Sequence, residues 1–173
     1  ADGLTRIHAR YVIKAMDDTA LAFGGVDILV NNAGITLAAN IEDTTLDLWN
    51  KNISILATGY FLVGREGYRL MKREGMGGSM IFIASKNAIA ASPGASAYCT
   101  AKAAEVHLAR CMALEGAPAG IRVNVVNPDA VLRGSKIWQG PWRQQRAASL
   151  KISESELEEH YRKRSLLQRS VFP

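Results

Sequence analysis

Three short apolar runs constrain the fold of this chain more than any other feature. They are Val26-Asp27-Ile28-Leu29-Val30, Met80-Ile81-Phe82-Ile83-Ala84 and Ile121-Arg122-Val123-Asn124-Val125-Val126. A continuous apolar run of this length suits a strand buried on both faces, as in a parallel sheet. Helical patterns lie around them. The segment before Gly24 reads as an amphipathic helix carrying Val12, Ile13, Ala15, Met16 and Leu21, stopped by Gly24-Gly25. Thr44-Thr45 can cap a helix through Leu46, Trp49, Ile53 and Phe61 to about Arg73. Gly75 to Gly78 make a turn, and Pro93-Gly94 marks a loop. An Ala-rich stretch bare of Gly and Pro predicts a helix from about Ala97 to Glu115. Ser153-Glu154-Ser155-Glu156 is a capping-box signal for a charged helix to about Arg164. Strands alternating with helices imply an α/β fold with a parallel sheet and right-handed crossovers.

In such sheets ligands sit beyond the carboxyl ends of the strands. The informative polar residues fall there: Asn31 to Gly34 after the first strand, Ser85 after the second, and Asn127 to Val131 after the third. The chain of 173 residues fits one domain, and 48% hydrophobic with 21% charged residues excludes wholesale disorder. No apolar run approaches the roughly 18 residues of a membrane-spanning helix, and the start carries no signal-peptide pattern.

The net charge of +5 raises the question of nucleic acid. The excess lies toward the end, at Arg133, Lys136, Arg143, Arg146, Lys151, Arg162, Lys163, Arg164 and Arg169. Glu154, Glu156, Glu158 and Glu159 interrupt it, and no zinc-finger or RNP pattern accompanies it. A solvated helical face, or a lid over an anionic ligand, accounts for it better than a DNA groove. Cys99 and Cys111 are twelve residues apart on one predicted helix, about 18 Å along its axis, too far to bridge. A reducing, cytoplasmic setting follows as the expectation. His8, His107 and His160 are isolated, so no metal site is expected.

Tyr98 and Lys102 are four residues apart and share one face of the predicted helix. Ser85 ends the preceding strand thirteen residues earlier. A tyrosine hydroxyl is a poor base at its ordinary pKa of about 10. A nearby ammonium favours the phenolate and lowers that value. Such a pair can exchange a proton with an alcohol or carbonyl near neutral pH. A serine hydroxyl can hold the substrate oxygen as charge develops on it. Each piece alone has an ordinary reading: a half-buried Tyr with a surface Lys, a strand-end serine, a turn at Asn31 to Gly34. Cys99 reads as core rather than nucleophile, since no His stands at a matching spacing.

Together these residues resemble the short-chain dehydrogenase/reductase family. The resemblance is carried by D-I-L-V-N-N-A-G at Asp27 to Gly34, G-S-M-I-F-I-A-S at Gly78 to Ser85, A-Y-C-T-A-K at Ala97 to Lys102, and G-I-R-V-N-V-V-N-P at Gly120 to Pro128. It implies a Rossmann-like doubly wound parallel sheet and an NAD- or NADP-dependent oxidoreductase acting on a small-molecule alcohol or aldehyde. By the resemblance, Tyr98 is the catalytic acid/base, Lys102 holds the nicotinamide ribose and depresses the Tyr98 pKa, and Ser85 orients the substrate oxygen. Asn32, Ala33 and Gly34 line the cofactor, and Pro128 to Val131 wrap the nicotinamide, with the Val131 backbone at its carboxamide. The helices at Leu46 to Arg73 and Ala97 to Glu115 are the family's usual subunit interface, so a homo-oligomer is implied. The stretches Ser85 to Cys111, Asn127 to Trp138 and Glu158 to Pro173 further resemble the dehydrogenase half of bifunctional rhamnulose-1-phosphate aldolase/short-chain dehydrogenase proteins. That likeness implies lactaldehyde or a related alcohol as substrate, within rhamnose catabolism.

Three departures stand out. No glycine-rich phosphate loop follows a strand, and a closing strand is absent after Pro173. Residues 1–173 therefore read as a partial domain, truncated at both ends and inactive in isolation. Leu56 occupies the place of the family's usual Asn, which organises a water beside the lysine; leucine cannot hydrogen-bond that water. Asn52, one turn earlier, reads either as a partial substitute or as a solvent-facing residue. Asp129 and Arg133 replace a usual Gly and a common Thr, and read as specificity features. The rival to an enzyme is a non-catalytic Rossmann-like assembly module, motivated by Leu56 and the missing loop. A basic nucleic-acid binder carries little weight beside either.

Overall fold

A computed structural model describes residues 2–172, with side chains from residue 9 onward, so His8 and Pro173 lie outside the described side chains. The first helix, α1, spans Asp2–Phe23, and the first strand, β1, spans Ile28–Asn31. Helix α2 (Leu46–Asn52) runs through a π-helical segment (Ile53–Thr58) into α3 (Gly59–Glu74), followed by β2 (Gly78–Ile83). Helix α4 (Ser96–Gly116) leads to β3 (Ile121–Val126), and α5 (Pro141–Leu150) and α6 (Leu157–Arg164) complete the fold. The strands form one parallel sheet in the order β1-β2-β3. Leu29 pairs with Met80 and Val30 with Ile81, while Met80 pairs with Val123 and Phe82 with Val125.

The capping residues act as the sequence implies. The Thr45 side chain accepts the Leu48 N–H at the start of α2, and Gly75 ends α3 in the left-handed conformation. The Glu156 carboxylate accepts the Ser153 N–H at 2.8 Å ahead of α6. Helix α5, which the sequence reading passes over, starts on Pro141 at its first turn, where a missing N–H costs nothing.

The core forms where α3 and α4 lie on one face of the sheet. Tyr60 and Met71 of α3, Ala109 and Met112 of α4, and Met80, Phe82 and Ile121 of the strands are buried together. The Tyr60 and Phe82 rings meet edge to face at 5.5 Å. Alternation along the strands sends the remaining side chains to the opposite face. There Ile28 is 63% and Val30 54% exposed, and Arg122, Asn124 and Val126 are exposed as well. No helix among the described residues covers that face. Within the described residues the expected burial on both faces is met on one: the apolar residues alternate between a packed face and an exposed one. The first helix is corrected similarly. Val12 and Met16 are half-buried, but Ile13, Ala15 and Leu21 are exposed, the described part of α1 resting mainly on α3.

No described helix is long and apolar enough to cross a membrane. The two cysteines are free and lie on α4, Cys99 buried and Cys111 exposed.

The turn into β2 depends on a glycine. Gly77 has φ +77°, and a Cβ there would sit 2.7 Å from the Gly120 carbonyl oxygen. Gly77→Ala is expected to lower stability by about 1–3 kcal/mol, read as an earlier urea midpoint at unchanged slope.

Candidate active site

A cleft of about 700 Å³ opens at the carboxyl ends of the three strands. Asn32 and Gly34 line it after β1, Ser85 after β2, and Asn127, Pro128, Ala130 and Val131 after β3, with Tyr98 and Lys102 entering from α4. The structure thus brings together Ser85, Tyr98, Lys102, Asn32, Gly34, Pro128 and Val131. Ala33 lies between two lining residues but does not itself line the cleft.

The strand ends are fastened by backbone bonds across the sheet. The Ala84 N–H donates to the Val126 carbonyl and the Lys86 N–H to the Pro128 carbonyl, each at 2.9 Å. Ser85 has extended backbone, and its Oγ accepts the Asn87 N–H at 3.2 Å. The strand-end cap and the cleft-facing hydroxyl are the same residue.

Tyr98 is buried against Leu56, Ala95, Cys99 and Ala101. Burial pushes its phenol above the ordinary tyrosine value, Glu105 and Cys99 add to the rise, and the Ser85 and Thr36 hydroxyls beside it oppose it. The expected depression of the Tyr98 pKa by Lys102 is corrected here. The Lys102 ammonium donates to the Glu105 carboxylate at 3.0 Å and to the Ile83 carbonyl at 3.0 Å. Glu105 is itself fully buried, and burial pushes its carboxyl up to about 8 against the pull of the Lys102 ammonium. The Lys102 nitrogen also sits 5.1 Å above the Tyr60 ring, whose hydroxyl donates to the same Ile83 carbonyl at 2.9 Å.

Leu56 lies within the π-helical segment, and insertions of this kind are frequent at functional sites. It is fully buried and packs the floor beneath Tyr98. Asn52 is fully buried too, which corrects the solvent-facing reading. Its amide donates to the Leu37 carbonyl at 3.1 Å and the Leu48 carbonyl at 3.0 Å, and its Oδ1 has no partner. It thereby ties the segment after β1 to α2.

The far wall of the cleft comes from the tail. Trp138, Ala130, Ala147 and Leu157 form a small buried cluster with Trp142 and Tyr161 packed against it. Trp138, Trp142, Arg146 and Tyr161 line the cleft, and the Arg146 Nε donates to the Tyr161 hydroxyl at 2.8 Å. Much of the basic tail is paired internally. Arg133 meets Glu158 at 2.9 Å, Arg162 meets Glu159 at 2.6 Å, and Arg164 meets Asp129 at 3.5 Å. Asp129 and Arg133, read as specificity features, thus fasten α6 over the strand ends. Sequence reasoning missed Thr36, Glu105 and the two tryptophans as site residues. Glu105 carried one usable signal, its place one turn after Lys102 on the same helix face.

Residues 6–143 match the family described as short chain dehydrogenase, and the chain belongs to that family. It is 52% identical over 162 residues to YuxG, an uncharacterized oxidoreductase of Bacillus subtilis, covering 94% of this chain and 24% of that protein. The sorbitol-6-phosphate 2-dehydrogenase SrlD of Erwinia amylovora superposes with a TM-score of 0.87 at 31% identity, over 93% of this chain and 62% of that one. A gluconate 5-dehydrogenase of Burkholderia cenocepacia, in complex with NADP and tartrate, gives a TM-score of 0.77 at 26% identity, over 93% of this chain and 58% of that one. The chain therefore spans less than two thirds of each of these relatives. Enzymes of this family similar to the chain include NADP-dependent and NAD-dependent dehydrogenases.

Leu56→Asn is expected to destabilise the protein by at least about 2 kcal/mol, since it removes core contacts and buries an amide in an apolar cluster. Thermal unfolding of the variant beside its parent checks this.

Proposed function

We propose that residues 1–173 are the nicotinamide- and substrate-facing part of an NAD(P)-dependent short-chain dehydrogenase/reductase domain that interconverts an alcohol and a carbonyl compound. The observation that carries this reading is the convergence of Ser85, Tyr98 and Lys102 on one cleft at the strand ends.

The cleft suits the cofactor. Asn127 Oδ1 is a buried carbonyl oxygen without a partner, at the end of β3 beside Pro128 and Val131. A carboxamide supplies the N–H donors such an acceptor lacks. Pro128 and Val131 would hold the nicotinamide side, and Asn32 and Gly34 the adenosine side and ribose, with Ala33 in the same turn. When bound, the nicotinamide ring supplies the hydride donor or acceptor.

The chain's own residues handle the proton and the oxygen. The Ser85 hydroxyl orients the substrate oxygen toward Tyr98. In carbonyl reduction the Tyr98 hydroxyl gives its proton to that oxygen as the C–O double bond becomes single; in alcohol oxidation the phenolate takes it back. A phenol held above its ordinary pKa is protonated at neutral pH and ready for the reductive direction. Lys102 turns its remaining N–H donor to the cleft, and Trp138, Trp142 and Tyr161 exclude water from the far wall.

A small hydroxyaldehyde such as lactaldehyde fits the finer reading, with the chain as the dehydrogenase half of a protein that also carries a rhamnulose-1-phosphate aldolase. The motif likeness supports it. The free cysteines fit a cytoplasmic setting, and α3 with α4 would form the interface of a homo-oligomer.

Tyr98→Phe in the full-length protein is expected to lower turnover of such substrates with NAD or NADP by about 100- to 10,000-fold, with unfolding temperature unchanged. Turnover within a few-fold of the parent would exclude the role given to Tyr98.

A further inference from the structure

We propose that Glu105 is a positioning residue of this site: its carboxylate pins the Lys102 ammonium at the end of β2 and keeps it protonated there. The proposal rests on the dehydrogenase reading for its catalytic consequence, but not for its geometry.

A glutamate on a helix ordinarily faces water, where its charge is solvated. Glu105 is instead 0% exposed, in the layer between α4, α3 and the sheet. One oxygen, Oε2, accepts a hydrogen bond from Lys102 Nζ at 3.0 Å. The other, Oε1, is also 3.0 Å from Nζ but accepts no aligned hydrogen bond and is a buried orphan. A buried ion pair of this kind contributes little net stability against an apolar pair of the same shape. Its placement is better explained by what it does to Lys102.

Lys102 is held from three elements at once. The Ile83 carbonyl of β2 accepts from Nζ, the Glu105 carboxylate of α4 accepts from it, and the Tyr60 ring of α3 lies beneath it. An ammonium has three N–H donors. Two are used inside the protein, which leaves one for the cleft that Lys102 lines. A four-carbon side chain free to rotate would not present one donor in one direction; the carboxylate removes that freedom.

The carboxylate also bears on the charge: burial pushes Glu105 up to about 8 against the pull of the Lys102 ammonium, so it acts as an anion on the alkaline side, where the lysine proton leaves. Burial pushes the Lys102 ammonium below the ordinary lysine value, and Glu105 is the group that holds it back up. The other titratable groups beside the pair are the phenols of Tyr60 and Tyr98, both held protonated by burial, with the Cys99 thiol beyond them against Tyr98. Leu56 and Ile53 of the π-helical segment pack on the Tyr98 side, both apolar, and Lys86 after β2 donates to Ser92 Oγ. No second carboxylate among these groups takes over when Glu105 loses its charge.

A negative group beside an ammonium raises the pH at which the proton leaves. Removing that charge lowers it, and activity that needs the ammonium is lost at lower pH.

The test compares the full-length protein with Glu105→Gln, which keeps shape and loses charge. Lysine labelled with carbon-13 at Cε reports the Lys102 titration by NMR without cofactor or turnover. The Gln variant is expected to lower that titration by at least one pH unit. The alkaline limb of the kcat profile should move down by a similar amount, and KM for NAD or NADP should rise several-fold. Glu105→Asp, which keeps the charge but retracts it, gives the same comparison if the Gln variant does not fold, with a smaller shift in the same direction. An unchanged Lys102 titration in the variant that folds overturns the proposal. A parent protein with no NAD- or NADP-linked turnover overturns the dehydrogenase reading instead, while the NMR shift still decides the role of Glu105.

Discussion

The backbone carbonyl of Ile83, at the last residue of β2, holds the site and the core in one arrangement. It accepts hydrogen bonds from the Tyr60 hydroxyl of α3 and the Lys102 ammonium of α4. Backbone pairing continues past it through Ala84–Val126 and Lys86–Pro128, while this oxygen anchors side chains from both helices. Asn31 adds a second tie, since its amide donates to the Tyr60 carbonyl at 3.3 Å. The relative height of α3, α4 and the strand ends is therefore set by polar contacts at the rim of the cleft. The apolar layer of Tyr60, Met71, Met80, Phe82 and Met112 sets only how closely they approach.

The parallel ladder explains why chemistry gathers at one edge. Parallel strands point the same way, so every strand ends on the same side and its following turn opens there. Asn32, Ser85 and Asn127 are far apart in sequence yet follow adjacent strands in the order β1-β2-β3. The fixed register places the ends of β2 and β3 side by side, and the Lys86–Pro128 backbone bond carries that pairing past the strands into the loops. This edge of the cleft is therefore held in place by the sheet.

The tail builds its own small core rather than extending the main one. Trp138, Ala147 and Leu157 bury one another, and the Trp138 ring meets the Trp142 and Tyr161 rings at 6.3 and 5.6 Å. The basic side chains that follow are consumed mainly in bracing it, through Arg133–Glu158, Arg143–Glu154 and Arg164–Asp129. A charge excess in the sequence is thus converted into local stitching. Arg146 is the exception that reaches the cleft, held by the Tyr161 hydroxyl.

Local patterns in the sequence determined the element order, the parallel sheet and the edge that bears the site. Strand runs, caps at Thr45 and Glu156, and the left-handed stop at Gly75 are short-range effects that need no partner. The i, i+4 spacing of Tyr98 and Lys102 likewise follows from helix geometry alone. What touches what across the layers was settled only in three dimensions. Periodicity shows that a residue faces inward but not which group meets it there. So the burial of Asn52, the packing of Leu56 beneath Tyr98, and the bare face of Ile28 and Val30 were not legible. The same holds for the charge balance of the site. The sequence places Glu105 one turn from Lys102, but only tertiary packing excludes water from the pair, and exclusion of water is what turns an ordinary helical ion pair into a constraint on the lysine.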